Sequence, residues 1–90
     1  MKQKPYILCI DDERPLLDSL KNELNRGLKG EARIEIADSA EDGLELLDEL
    51  LGGGQEVAVI ISDQLMPGMK GDEFLIRVNE LHPRARKILL

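Results

Sequence analysis

Much is missing from this sequence of 90 residues. It holds a single cysteine, Cys9, so no disulfide framework supports the fold. That residue lies within the apolar run Tyr6-Ile7-Leu8-Cys9-Ile10, where a small buried hydrophobe fits better than a reactive thiol. A basic excess is also missing: 18 acidic residues face 12 basic ones, for a net charge of -6. Phosphates would meet repulsion at such a surface, which argues against direct nucleic-acid binding. Long apolar runs are absent too. The amino terminus reads Met1-Lys2-Gln3-Lys4-Pro5, and the apolar stretch after it is broken by Asp11, too soon for a secretory segment or a membrane span. A cytoplasmic protein with no membrane association is the expectation. There is no internal repeat, low-complexity tract or linker, and the length suits one small domain that buries somewhat more than ~60% of its unfolded surface. The triple glycine Gly52-Gly53-Gly54 has no strand before it and no Lys-Ser or Lys-Thr pair after it, so it is not read as a phosphate-cradling loop.

What is present alternates in period. Tyr6 to Ile10 has strand length and stops at Asp11-Asp12-Glu13, and Pro15 then stands where the first turn of a helix tolerates it. Leu16, Leu20, Leu24 and Leu28 recur every four residues with Leu17 beside them, and Gly27 and Gly30 mark the end of that helical face. Arg33-Ile34-Glu35-Ile36-Ala37 alternates as a strand near a sheet edge does. Ser39 reads as an N-cap with Asp42 three residues on, and Ala40, Leu44, Leu47 and Leu51 form the next helical stripe. Val57-Ala58-Val59-Ile60-Ile61 does not alternate, which suits a central strand covered on both faces. Phe74, Leu75, Val78 and Leu81 then predict a helix over residues 72–82, ended by Pro83, and Lys87-Ile88-Leu89-Leu90 opens another apolar run. Strands alternating with helices at short connections predict an α/β fold with right-handed crossovers, a mostly parallel sheet and a ligand site beyond the strands' carboxyl ends.

That topology gives meaning to the stretch VIISDQLMPGMKG, residues 59–71. Asp63 ends one strand, Asp11 and Asp12 end another, and neighbouring parallel strands would bring all three to one edge. A lone aspartate there is usually a turn former or cap. Three together raise one another's pKa unless a cation compensates, which points to a hard divalent ion. Mg2+ fits, since it takes oxygen ligands, keeps several waters and uses one or two carboxylates beside a phosphate oxygen.

The aspartate pair in ILCIDDE and the block SDQLMPGMKG, which matches D-x-x-M-P-x-x-x-G, resemble the receiver domain of two-component response regulators along the whole chain. The resemblance implies a flavodoxin-like parallel sheet of order 2-1-3-4-5 with helices on both faces. It implies Asp63 as phosphoacceptor, and a Mg2+ ion held by Asp12, Asp63 and the backbone carbonyl of Leu65, with Asp11 supporting the ion through an intervening group or water. Gly68 and Gly71 would permit backbone conformations barred to larger residues, with Met66 and Met69 as loop anchors. A histidine kinase or phosphotransfer protein would supply the phosphoryl group, because His82, the only histidine, is read as a solvated residue at a helix end. Arg84, Arg86 and Lys87 are read as a soluble basic turn.

In the same family a serine or threonine follows the fourth strand and a lysine ends the fifth. Neither position occurs in this sequence, so residues 1–90 are expected to form a receiver domain truncated after the start of the fourth strand, without the last strand and last two helices. An edge left open in this way predicts a homodimer or strand-exchanged oligomer, or an output domain outside this chain. Two functions compete at this level. One is a phosphoacceptor switch, modified rather than turning over substrate as an enzyme does; the alternative is a phosphorylation-incompetent, receiver-like fragment acting as a structural or dimerisation module. A metal-dependent phosphohydrolase is disfavoured, because no second aspartate stands two residues after Asp63 and no cap domain is present.

Overall fold

The structure, a computed structural model, describes residues 4–90. Four strands, β1 (Tyr6–Ile10), β2 (Arg33–Ala37), β3 (Val57–Ser62) and β4 (Arg86–Leu89), alternate with three helices, α1 (Arg14–Leu28), α2 (Ala40–Gly52) and α3 (Gly71–Leu81). The strands form one sheet in the order β2-β1-β3-β4. Every pairing in it is parallel, with Leu8 beside Glu35 on one side and Ile60 on the other. Because each crossover carries a helix, the carboxyl ends of all four strands lie at one rim.

Helices cover both faces. On one, Leu8, Ile10, Ile60 and Val57 pack with Leu47 of α2 and Phe74 and Val78 of α3. On the other, Cys9 and Ile34 pack with Leu17 of α1. A fully buried side chain of the Val, Leu, Ile or Phe class contributes about 1.5–3 kcal/mol, so the first and larger cluster carries most of the apolar stabilisation.

Several helix signals act as their chemistry requires. Asp42 N–H donates to Ser39 Oγ at 3.1 Å, capping α2, and Pro15 occupies the first turn of α1. The four-residue leucine series holds for Leu20, Leu24 and Leu28, which pack around the cluster of Cys9, Leu17 and Ile34, but its first member, Leu16, is 54% exposed while Leu17 is buried. A helix packed on a twisted sheet takes its closest contact along one narrow line, and Leu17 lies on it. Gly27 is inside the helix, and the left-handed residue at its end is Lys29, φ 50°. Gly30, φ 80°, follows in the same region, so the chain reverses over two residues.

His82 is half-buried and not solvated as the sequence suggests. Its Nε2 lies 3.0 Å from the Val57 carbonyl oxygen, tying the end of α3 to the start of β3. Lys87 Nζ donates to the carbonyls of Pro83 and Ala85. The basic segment is therefore partly spent on closing its own turn. Among the described residues, no helix is long and apolar enough to cross a membrane.

Candidate functional site

At the carboxyl rim, sheet hydrogen bonding continues one residue past the strands. Asp11 N–H donates to the Ala37 carbonyl at 3.3 Å, and Asp63 N–H donates to the Ile10 carbonyl at 3.0 Å. Both backbones are thus registered against their neighbours where the side chains leave the sheet. The result is a trio: one carboxylate oxygen from each of Asp11, Asp12 and Asp63 lies within 4.8 Å of the others.

The turn after β1 is short. Glu13 N–H donates to Asp11 Oδ1 at 3.0 Å, and Glu13 is the N-cap of α1 without a side-chain cap of its own. Asp11 therefore orients the backbone entering the helix while its side chain also interacts with that of Asp12 at the rim.

The turn after β3 is longer and tied at several points. Ser62, fully buried, donates its hydroxyl to the Asp63 carbonyl at 3.0 Å, which satisfies a polar group that burial would otherwise penalise. Met66 is buried in the larger core cluster, and Met69 packs against it. Gly68 adopts φ 78°, a conformation glycine takes without cost. Gly71 serves a different purpose from the one expected of it, since its φ is not positive. A Cβ there would fall 2.3 Å from the Asp63 carbonyl oxygen and 2.7 Å from Leu89 Cδ1. Only a hydrogen lets α3 start directly against the backbone of Asp63.

Burial and close acidic neighbours at the rim have an electrostatic signature. Burial, followed by repulsion from Asp63 and Asp12, pushes the Asp11 carboxyl above the ordinary 3.8, against the opposing pull of the Glu13 N–H. The thiol of Cys9, by contrast, is raised to about 11 by burial alone, as an inert core residue should be.

The donors here are all hard oxygens, and among the described residues no lysine or arginine is ion-paired to the trio. Oxygens sharing one Mg2+ at about 2.1 Å would stand no more than about 4 Å apart, so a spread of 4.8 Å fits such an ion after a small adjustment or with a water completing one contact. Leu65, 75% exposed, stands between Gln64 and the buried Met66, two residues from Asp63.

Two contributors to this architecture escape the sequence reading. Ser62 follows the apolar run that precedes Asp63 without any pattern that marks its hydroxyl, while Gln64 accepts from Asp72 N–H, eight residues away, at 2.8 Å. Neither contact has a sequence spacing that announces it.

Comparison with known proteins bears on the same residues. The family model for the response regulator receiver domain matches residues 7–90. The hydrogenase transcriptional regulatory protein HoxA of Cupriavidus necator is 37% identical over 84 residues, which make up 93% of this chain but 16% of that regulator. Among solved structures, the signal receiver domain of an HD domain-containing protein from Pseudomonas fluorescens Pf-5 aligns with a TM-score of 0.80 at 28% identity, covering 97% of this chain and 63% of that one. A response regulator receiver domain protein from Clostridium thermocellum gives 0.78 at 27% identity, covering 94% and 63%. The chain thus spans less than two thirds of the length of each of these relatives.

Proposed function

The chain belongs to the response regulator receiver domain family, and we propose that it accepts a phosphoryl group on Asp63 in a Mg2+-dependent reaction. The donor is a histidine kinase or phosphotransfer protein, and the signal passes to an output domain or partner outside this chain. The convergence of Asp11, Asp12 and Asp63 at the carboxyl rim supports this most directly. Asp12, Asp63 and the Leu65 carbonyl would hold the ion, with Asp11 supporting it.

When bound, Mg2+ neutralises the oxygens of the transferring phosphoryl group and offsets the repulsion among the three carboxylates. Asp63 supplies the nucleophile: one of its oxygens forms a bond to phosphorus as the bond from phosphorus to the donor breaks, and the electron pair leaves with the donor. Its backbone, held by the bonds from Asp63 N–H to Ile10 and from Ser62 Oγ to the Asp63 carbonyl, keeps that oxygen aimed out of the sheet. Positioning of this kind provides most of the rate in phosphoryl transfer. The product is a modified switch, not the free enzyme of a catalytic cycle. The proposed setting is the cytoplasm.

Incubation with Mg2+ and acetyl phosphate tests the proposal by intact mass. The wild-type chain gains one phosphoryl group and Asp63→Asn gains none. Absence of any gain across a Mg2+ titration contradicts it.

A second reading, a phosphorylation-incompetent interaction module, draws on the β4 edge. There Ile88 and Leu89 are close to half exposed and Leu90 is 68% exposed, the kind of surface that recruits another chain as a homodimer or strand-exchanged oligomer. Sedimentation at rising concentration distinguishes a monomer from that assembly.

A further inference from the structure

Helix α3 begins without a conventional cap. Its N-cap residue, Lys70, makes no side-chain hydrogen bond to the first turn, and the first N–H groups of any helix need partners from outside it. Both of the first two are met by one residue. Gly71 N–H donates to the Gln64 backbone carbonyl at 3.3 Å, and Asp72 N–H donates to Gln64 Oε1 at 2.8 Å. Gln64 directly follows Asp63 and directly precedes Leu65. The loop is therefore closed on itself at the residue between the expected phosphoacceptor and the expected carbonyl ligand.

We propose that Gln64 is a positioning residue for the divalent-cation site: its double tie to Gly71 and Asp72 fixes the 63–65 backbone against the start of α3. This inference rests on the metal-dependent reading of the trio. The side-chain bond is solvent-exposed, so water can replace it with little loss of global stability. What water does not replace is the constraint. Without the tie, the segment between Asp63 and the buried Met66 gains freedom, and a divalent site built on it loses pre-organisation.

The test compares wild type with Gln64→Met, which keeps length and bulk but removes the acceptor, and with Gln64→Glu, which restores an oxygen at the same reach. Calorimetric titration with Mg2+ and amide hydrogen exchange are measured on each protein without a phosphodonor. In Q64M, Asp72 N–H exchanges faster while the β3 amides keep their protection, which shows that the fold is intact. Mg2+ binding weakens about tenfold, the lower end of the usual range for removing a group that orients metal ligands, and Q64E recovers both properties. Equal Mg2+ affinity in wild type and Q64M overturns the inference while leaving the cation site standing. Wild-type protein that binds no Mg2+ overturns the inference and the cation site together.

Discussion

The turn after β1 and the turn after β3 deliver carboxylates to one rim on opposite kinds of support. The first is exposed from Asp12 to Leu16, and one side-chain bond, from Glu13 N–H to Asp11 Oδ1, organises it beyond the sheet register. The second is fastened at Ser62, Gln64, Met66 and Gly71, and it leans on the larger core cluster through Met66 and Phe74. The two turns also differ in what they contribute. A nucleophile gains from a fixed backbone, because a small misplacement of the reacting atom costs rate. In the proposed reaction the first turn supplies Asp12 to hold the ion and Asp11 to support it, and an ion that keeps several waters tolerates some movement of those side chains.

The comparison breaks most visibly through the core beneath the second turn. Phe74 is fully buried and touches the position of Gly43, where an added Cβ would lie 3.2 Å from its ring. Phe74→Ala should cost about 3–5 kcal/mol, read by urea denaturation; a loss under 1 kcal/mol would mean that α3 does not carry the turn. Gly71→Ala comes next, at about 1–3 kcal/mol of overpacking, since the obstructing atom is backbone and cannot rotate away. It should also weaken Mg2+ binding, because α3 must move off Asp63.

A smaller effect is expected at Asp11, with a sign set by pH. Its carboxyl titrates above 3.8 in the folded chain, so the native state binds the proton more tightly than the unfolded state does. Stability then falls as pH rises from the unfolded value through the raised one. Asp11→Asn removes that loss and keeps an acceptor for Glu13 N–H, so in chelator it should melt above wild type at neutral pH. The gain should vanish below pH 3.8, and a gain that grows on acidification would contradict a carboxyl raised by burial and its acidic neighbours. Least affected should be Pro15→Ala, within about 0.5 kcal/mol of wild type, since the first turn has little to lose.

Period and the points where apolar runs stop make the elements and the candidate trio legible in the sequence, whereas the strand order β2-β1-β3-β4 is expected only from the family resemblance. Val57 to Ile61 lacks alternation and is flanked by strands on both sides; Arg33 to Ala37 alternates and forms an edge. Ser39 was readable because a cap and its target are three residues apart. Gln64 was not, because its partner lies across a loop whose path no local pattern reveals. Leu16 and Leu17 were equally apolar in sequence, and only the line of contact on the sheet separates them. Gly71 resembled a turn glycine, yet its constraint is the proximity of Asp63, a tertiary fact. His82 likewise looked like an exposed helix end until β3 supplied an acceptor.

Residues 11, 12 and 63 are proposed to form one divalent-cation site, and substoichiometric Mn2+ checks this through paramagnetic broadening of backbone amide resonances. The signals of residues 10–13 and 62–66 should broaden first and together, and excess Mg2+ should restore them. Broadening centred instead on the acidic start of α2, at Glu41 and Asp42, with the rim unaffected, would contradict it.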